Sequence, residues 1–256
     1  MTDIEVTSGD EVATVTIRNP ERHNALSSDA SETMADALHD VAHDESVRCV
    51  VLAGAGDAFC SGIDLASGMA AGSPAAELDG GLNAIARRLL RMQKPTVARV
   101  DGPAVGAGAA IATACDFVYA AESAVFQWGF TDVGLAPDTG ATYVLPRLVG
   151  FRRAMELLIT GREVGAAEAV DLGIATEAIP DEQFDAVVDD RVEMLRSRPT
   201  QAVGEAKRLL LENAHRSLEA ALEAEAQAQN RAFESEDFAE GIRAFAENRD
   251  PEFVGR

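Results

Sequence analysis

The sequence predicts an α/β fold, in which strands alternate with helices that pack over a sheet. Hydrophobic residues recur with period two at Ala13, Val15 and Ile17, which is typical of a half-buried strand. Strand-like segments at 47–52 and 96–100 are separated by apolar residues at helical spacing. Such alternation is characteristic of the α/β class. The chain has 256 residues, 47% of them hydrophobic, and can fill one large core.

The first predicted elements are a β-hairpin and a helix. The strand with alternating residues follows Ser8-Gly9-Asp10, a turn signal, and we expect it to pair with residues 4–6. Apolar residues at helical spacing then predict a helix over 30–41. Ser27-Ser28-Asp29 provides side chains that can cap its first turn.

A second amphipathic helix is predicted over 82–92, and Lys94-Pro95 ends its pattern because proline cannot continue a helix. Between the strand at 47–52 and this helix, residues 67–80 combine glycine, serine and proline with small side chains. We expect this stretch to be a mobile loop that could cover a ligand.

The C-terminal part of the chain is predicted to be helical. Beyond Pro180 apolar residues recur at helical spacing, and an Ala/Glu-rich run occupies 218–232. Helices without chemical motifs usually serve packing or assembly. We therefore expect a core with the functional site over 1–195 and a helical region for packing over 196–256.

Charge and composition restrict the possible partners. The chain has 43 Asp and Glu against 22 Lys and Arg, a net charge of −21, and Lys94 and Lys207 are its only lysines. This pattern favours adaptation to high internal salt, which screens repulsion between carboxylates. An ordinary acidic protein is the alternative. Nucleic acids and anionic membranes are not expected as partners, because no basic run is present.

Cysteine usage and hydropathy bear on the compartment. Cys49, Cys60 and Cys115 lie in apolar surroundings and predict reduced thiols rather than a disulfide framework. The N-terminus has no basic and apolar leader. The longest uncharged apolar stretch, 102–115, is shorter than the roughly 18 to 20 residues that a membrane span needs. We expect a cytoplasmic protein.

Two glycine-punctuated loops and one carboxylate are the candidate functional features. The loops, 59–65 and 102–108, each follow a strand-like segment, and their small residues leave backbone N–H groups accessible to a ligand oxygen. Such loops can form an oxyanion hole. Asp138, in Pro137-Asp138-Thr139-Gly140, is the candidate acid or base. Its alternative role is to cap the helix that holds Tyr143.

Other known motifs fit these residues less well. Gly54-Ala55-Gly56 and Gly106-Ala107-Gly108 lack the third glycine of a dinucleotide-binding loop, and neither is followed by the Gly-Lys-Ser/Thr of a P-loop. The Gly-x-Ser-x-Gly of serine hydrolases is absent. His39 and His43 have the spacing of metal ligands, but no third ligand completes a motif. No metal site is expected.

Together the loops and the acid resemble the crotonase family, also called the enoyl-CoA hydratase/isomerase superfamily. The resemblance implies a spiral of ββα-like turns, a helical C-terminal trimerisation region and a homotrimer or hexamer. It also implies an acyl-CoA substrate, with no cofactor beyond the CoA moiety. The motifs that carry the resemblance occur in order at 18–26, 59–65, 102–116, 134–140, 145–150, 158–161, 166–173 and 240–253.

The resemblance implies roles for individual residues. The backbone N–H groups of Ile63 and Ala107 correspond to the oxyanion donors. The two glutamates of the family's hydratases are replaced by Ala110 and Phe130. Asp138 remains, at a position used by dienoyl-CoA isomerases and by ring-epoxide isomerases of phenylacetate breakdown.

The resemblance also implies a place for each part of the substrate. Arg22 is the candidate for the CoA 3′-phosphate, and the adenine would lie against the backbone of residues 61–65. The expected CoA-binding residues are Arg22, Ala25, Ser61, Asp64 and Leu65, and the expected substrate pocket contains Ala110, Phe130 and Leu135.

A single carboxylate favours isomerisation over hydration. It can remove a proton from one carbon and return it to another on the same face, whereas hydration must deprotonate water while it protonates Cα. Apolar neighbours such as Phe130 and Leu135 are expected to raise the pKa of Asp138. The sequence therefore favours an acyl-CoA isomerase that shifts a double bond or rearranges a ring epoxide through a thioenolate. An enoyl-CoA hydratase and a non-catalytic binding protein of the same fold are the alternatives.

Overall fold

The structure is a computed structural model that describes residues 2–65 and 73–256. Its strands are β1 Asp3–Gly9, β2 Val12–Arg18, β3 Cys49–Gly54, β4 Thr96–Val100, β5 Ala104–Val105, β6 Phe117–Ala121, β7 Val125–Gln127, β8 Val164–Gly165 and β9 Glu177–Ile179. Its α-helices are α1 Ser28–His43, α2 Pro74–Gly80, α3 Leu82–Arg91, α4 Ala107–Ala114, α5 Ala141–Val149, α6 Phe151–Thr160, α7 Ala166–Asp171, α8 Phe184–Arg196, α9 Thr200–Asn213, α10 Leu218–Phe233 and α11 Glu236–Glu247.

The strands form two sheets. The larger has the order β1-β2-β3-β4-β6-β9, in which β1 and β2 are antiparallel and every other neighbouring pair is parallel. The smaller has the order β5-β7-β8 and mixes one parallel with one antiparallel pair. Helices connect the parallel strands, because a parallel pair needs a crossover. The α/β prediction is confirmed.

Hydrophobic clusters cover both faces of the larger sheet. Alternate residues of a strand point to opposite faces, so Val50 and Leu52 join the cluster that includes α1, α3 and α4. Cys49 and Val51 join a second cluster, which includes Phe184 of α8. The sheet is therefore the middle layer of three.

The N-terminal hairpin and the first helix form as predicted. Ile4 lies opposite Ile17 in the antiparallel register. The turn is one residue later than predicted, with Asp10 and Glu11 at φ of 49° and 62°, the left-handed conformation that two-residue hairpin turns require. The Ser27 hydroxyl accepts a hydrogen bond from the first turn of α1, at 3.2 Å.

Two predicted boundaries are wrong. The strand predicted at 47–52 runs from Cys49 to Gly54, because the Val47 N–H closes a turn onto the Asp44 carbonyl at 3.0 Å. The mobile loop predicted over 67–80 is incorrect for Pro74–Gly80, which forms α2. Proline is well suited to a first helical turn, where its missing N–H has no partner to lose. Residues 67–72 of that prediction lie outside the described residues.

Three inward-facing cations bind main-chain carbonyls, and two of them, Arg48 and Lys207, connect the helical region with the core. Arg48, 5% exposed, donates to the carbonyls of Arg198 and Phe253 at 2.8 and 2.6 Å. Lys207 donates to the Leu89 carbonyl at the end of α3, at 2.7 Å. Lys94 donates to carbonyls at the end of α1, where the helix dipole favours positive charge. Both lysines of the chain are therefore used internally.

Candidate active site

The loop at 59–65 lies after the carboxyl end of β3, and its backbone is held by Leu26. The Leu26 N–H donates to the Gly62 carbonyl at 2.7 Å, and the Asp64 N–H donates to the Leu26 carbonyl at 2.8 Å. This is a parallel bridge between Leu26 and Ile63. Gly62 and Asp64, on either side of Ile63, make the two hydrogen bonds to Leu26. The Ile63 N–H therefore points away from Leu26.

A second bridge brings the two glycine loops together. The Val105 N–H donates to the Cys60 carbonyl at 2.8 Å, and Cys60 pairs with Ala104. Gly62 has φ of +91°, and a Cβ placed there would lie 2.9 Å from the Val105 carbonyl oxygen and 3.3 Å from the Ala107 nitrogen. The residue that precedes Ile63 is therefore in contact with the Ala107 amide.

Ala107 is the first residue of α4, so its N–H has no acceptor within the helix. The N-terminus of a helix also carries a partial positive charge. Gly108 lies so close to the first loop that a Cβ would be 2.1 Å from the Cys60 carbonyl oxygen. Within residues 2–65 and 73–256, neither the Ile63 nor the Ala107 N–H has a hydrogen-bond acceptor. Both donors are available to a ligand oxygen.

A cavity of about 130 Å³ lies at these two amides. Its walls are mainly apolar, and apolar surroundings strengthen a hydrogen bond to a developing negative charge. The geometry is suited to stabilising an oxyanion. The lining residues are Ser61, Gly62, Ile63, Leu65, Val105, Gly106, Ala107, Gly129, Phe130, Val133 and Leu135.

The structure brings most of the predicted pocket residues to this cavity. Ile63, Ala107, Phe130 and Leu135 all line it. Ala110 does not line this cavity, and its role as a pocket residue stays a prediction. It lies one turn further along α4, a rise of about 5 Å, and is 1% exposed within the core.

In the sequence, Asp138 lies between Leu135, which lines the cavity, and the start of α5, and it is partly buried. Burial raises the pKa of its carboxyl, although a hydrogen bond from the Thr139 hydroxyl, at 2.6 Å, acts in the opposite direction. The expected direction of the shift is confirmed. The capping alternative is wrong, because none of the described side chains caps α5 and the Asp138 backbone carbonyl, not its carboxylate, accepts from the Ala141 N–H. Asp138 is not among the residues that line the cavity.

The predicted CoA-binding residues lie together beside the first loop. Arg22 donates to both carboxylate oxygens of Asp64, at 2.6 and 2.8 Å. The Ser61 hydroxyl donates to the Arg22 carbonyl at 3.1 Å. Ala25 is 7% exposed, and Leu65 is exposed beside the cavity. A phosphate bound by Arg22 would therefore share that cation with Asp64.

Two buried residues, Asn24 beside the first loop and Cys60 within it, have different roles. Asn24 is fully buried and anchors three backbone groups around the first loop, and it is not among the predicted site residues. The sequence feature that could have indicated Asn24 is an asparagine inside the Arg22-His23-Asn24-Ala25-Leu26 motif, because asparagine tolerates the left-handed backbone of a tight turn. Cys60 is not a nucleophile candidate, because burial raises the pKa of its thiol to about 12.

No three His, Cys, Asp or Glu side chains of the described residues lie close enough together to hold a metal ion. His39 and His43 are exposed on α1, with their rings 4.3 Å apart. None of the described helices combines the length and the apolar character needed to cross a bilayer.

Comparison with known proteins assigns the class that this fold and site define. Residues 7–256 match the model of the family described as Enoyl-CoA hydratase/isomerase, and the chain belongs to this family. It is 35% identical to 1,2-epoxyphenylacetyl-CoA isomerase of Escherichia coli over 250 residues, 96% of this chain and 95% of that protein. It is 34% identical to 4-chlorobenzoyl coenzyme A dehalogenase-2 of an Arthrobacter species, with 88% and 83% covered.

A solved structure gives the same assignment at the level of the fold. The enoyl-CoA hydratase from Bacillus anthracis superimposes with a TM-score of 0.92 at 30% identity, covering 99% of each chain. These three relatives carry three different named activities. The family is therefore established, and the individual reaction must be argued from the site.

Gly108→Ala is expected to lower turnover by about 10²- to 10³-fold, the usual effect of losing one oxyanion donor. The new Cβ would clash with the Cys60 carbonyl, separate the two loops and displace the Ala107 amide. Steady-state kinetics would be compared with those of Gly9→Ala, because a Cβ at Gly9 meets no atom of the described residues within 4 Å. Normal turnover of folded Gly108→Ala would show that the loop contact is not needed for catalysis.

Proposed function

We propose that this protein is an acyl-CoA isomerase that acts through a thioenolate. The backbone N–H groups of Ile63 and Ala107 would bind the thioester oxygen, and Asp138 would carry the proton. The observation that carries the proposal is the pair of N–H donors at an apolar cavity, for which the described part of the chain supplies no acceptor. The raised pKa of Asp138 suits a group that must both accept and release a proton.

For a 3-enoyl-CoA the proposed step balances without a further reactant. The Asp138 carboxylate removes a proton from the α or γ carbon, and the electron pair of that C–H bond delocalises onto the thioester oxygen. Two preorganised donors would each lower the barrier by about 3 to 4 kcal/mol. The protonated Asp138 then returns the proton to a different carbon, and the thioester carbonyl reforms.

The finer choice of substrate rests on sequence similarity. Likeness to the Escherichia coli 1,2-epoxyphenylacetyl-CoA isomerase supports a ring epoxide, and a 3-enoyl-CoA would use the same proton transfer. Hydration of a 2-enoyl-CoA is the alternative that the hydratase from Bacillus anthracis supports. Ala110 and Phe130 stand at the positions of the family's hydratase glutamates, which favours the isomerase.

The proposal is tested with a panel of acyl-CoAs whose products are identified by mass spectrometry in D₂O. A 3-enoyl-CoA or a ring-epoxide CoA should be isomerised, and deuterium should enter the α or γ carbon. Efficient formation of 3-hydroxyacyl-CoA from a 2-enoyl-CoA would instead establish the hydratase. A thermal shift with acyl-CoA but no turnover of any member would identify a non-catalytic binding protein.

We also propose that the chain assembles as a trimer or hexamer in the cytoplasm. The C-terminal helices expose apolar side chains that a monomer would leave in water. The large exposed apolar residues of α10 and α11 are Leu218, Leu222, Phe233, Phe238, Ile242 and Phe245. The cysteines Cys49, Cys60 and Cys115 are free and buried, which suits a reducing compartment. Light scattering in molar KCl should give three or six times the chain mass of 27.0 kDa. A monomer at that ionic strength would contradict the assembly.

A further inference from the structure

We propose that Asn24 is a positioning residue for the oxyanion hole, acting through Leu26 on the Ile63 amide and through the first loop on α4. The inference rests on the proposed function, because it assigns a second task to the residues that support the same two donors. Asn24 lies outside the cavity and touches no reacting atom. Its effect on catalysis is therefore indirect and geometric.

Every hydrogen-bonding group of the Asn24 side chain has a backbone partner. The Nδ2 group donates to the Ala55 carbonyl at 2.9 Å and to the Ala58 carbonyl at 2.6 Å. The Oδ1 atom accepts from the Asn19 N–H at 2.8 Å. The residue is fully buried, and a buried polar group that loses its partners carries a large desolvation penalty. The side chain therefore holds the 19–24 turn and the 55–58 turn together.

One branch of this arrangement leads to the Ile63 donor. Asn24 is two residues before Leu26, whose N–H and carbonyl hold the residues on either side of Ile63. Asn24 has a left-handed φ of 58°, and this turn directs the chain from Arg22 towards Leu26. If the turn relaxed, the bridge would shift and the Ile63 N–H would lose its direction.

The other branch leads to the Ala107 donor. Ala55 and Ala58 flank the turn that delivers the chain to Cys60. The Cys60 carbonyl accepts from the Val105 N–H and sets the closest approach of α4 at Gly108. A displacement of the 55–58 turn therefore reaches both donors. One buried amide can affect the angle between two N–H groups that lie on different loops.

The chemistry of this position is specific to asparagine. Aspartate has the same shape and tolerates left-handed backbone, but it lacks the two N–H donors and would place a negative charge against two carbonyl oxygens. Glycine keeps the backbone conformation at no steric cost and removes every side-chain bond. Asn24→Gly and Asn24→Asp therefore separate the role of the side chain from that of the turn.

The test measures polarisation of a carbonyl bound in the oxyanion hole, and the probe is benzoyl-CoA that carries ¹³C at the thioester carbonyl. This probe has no α hydrogen to lose, so it binds without reacting. In the parent protein the infrared band of the bound carbonyl should move to lower frequency than in free benzoyl-CoA, because two donors polarise it. In Asn24→Gly the band should return towards the free value, and turnover should fall by about 10²- to 10³-fold with little change in benzoyl-CoA affinity.

Ser31→Ala is the matched control. Ser31 is also buried, and its hydroxyl donates to the Ser28 carbonyl at 2.7 Å, within α1. This variant should keep both the band shift and the turnover, which separates hole geometry from a general loss of a buried hydrogen bond. Asn24→Asp should behave as Asn24→Gly does and serves if the glycine variant does not fold.

The outcomes distinguish this inference from the proposed function. Full band shift and full turnover in either folded Asn24 variant would overturn the positioning role. Loss of folding in both variants would assign Asn24 to stability alone and would also overturn it. Absence of a band shift in the parent protein would instead remove the oxyanion hole itself, and with it the proposed function.

Discussion

Asp138→Asn is expected to lower turnover of a 3-enoyl-CoA or ring-epoxide CoA by about 10²- to 10⁴-fold, the usual contribution of a general base. The amide has the shape of the carboxyl but cannot accept the substrate proton. Binding of the thioester should change little, because the donors on Ile63 and Ala107 are backbone atoms. Turnover, deuterium exchange at the α or γ carbon and acyl-CoA affinity would be measured for both forms.

Asp132→Asn is the matched control for this substitution. Asp132 lies on the same segment, six residues earlier, and is exposed, so its loss removes the same charge without removing the proposed base. Near-normal turnover is expected. If Asp132→Asn were inactive and Asp138→Asn active, the proton would be carried by Asp132. Full activity of both variants would contradict a carboxylate base on this segment.

The raised pKa of Asp138 gives this prediction a pH dependence with a defined sign. The base must be ionised, so kcat/KM should fall as the pH is lowered through a pKa above the ordinary value of 3.8. In the unfolded chain the carboxyl regains its ordinary pKa, so the folded state binds the proton more tightly than the unfolded state does. Ionisation of Asp138 at neutral pH therefore destabilises the folded state. Asp138→Asn should therefore raise the melting temperature at pH 7, and the gain should disappear below pH 4 or so. An unchanged or lower melting temperature at pH 7 would contradict costly burial of this carboxylate.

Salt is expected to have the second large effect. Raising KCl from about 0.05 to about 2 M, which shortens the screening length from more than 10 Å to about 2 to 3 Å, should increase the melting temperature by about 10 °C or more. The net charge of −21 makes the folded state self-repelling. For a chain of this size each 1 kcal/mol of stability corresponds to about 2–4 °C.

Salt also weakens favourable ion pairs, so the sign depends on which effect is larger. Glu205 is held by Arg208 and Arg231, and these hydrogen bonds lower its pKa to about 2. Exposed ion pairs contribute only about 0–1 kcal/mol each. The excess carboxylates repel one another over the whole surface, so we expect screening of this repulsion to be the larger effect. The melting temperature in sucrose of equal osmolality is the control, because sucrose does not screen charge. A flat or falling response to KCl would leave an acidic protein without adaptation to salt.

Local patterns in the sequence were sufficient for much of the fold. The alternation through Val15 and the cap at Ser27 depend on residues close in the chain, and both appear as expected. The strand beginning at Cys49 was misplaced because the turn at Asp44 was not visible in the hydrophobic pattern. Pro74 was interpreted as a loop residue, although proline also begins helices.

Prediction of the site was limited by contacts between distant residues. The glycine loops were found because small residues after strands are a local signal. Asn24 was missed because its partners Ala55 and Ala58 are 31 and 34 residues away. The burial of Ala110 within the core likewise depends on how α4 packs, which its position in the sequence does not show. The hydrogen bonds from Arg22 to the Asp64 carboxylate likewise could not be predicted, because these two residues meet only in the folded chain.

Because Lys94 and Lys207 face inward, the rate at which an amine-reactive reagent labels them would report local unfolding around each lysine. These are the only lysine amines, and each is bound to main-chain carbonyls that close the ends of α1 and α3. An amine-reactive ester should therefore label the folded protein slowly at both sites, apart from the α-amino group. Reaction at Lys207 would report separation of α9 from α3, and reaction at Lys94 would report fraying of α1. The rates at these two positions could follow the loosening of each region separately as salt is withdrawn.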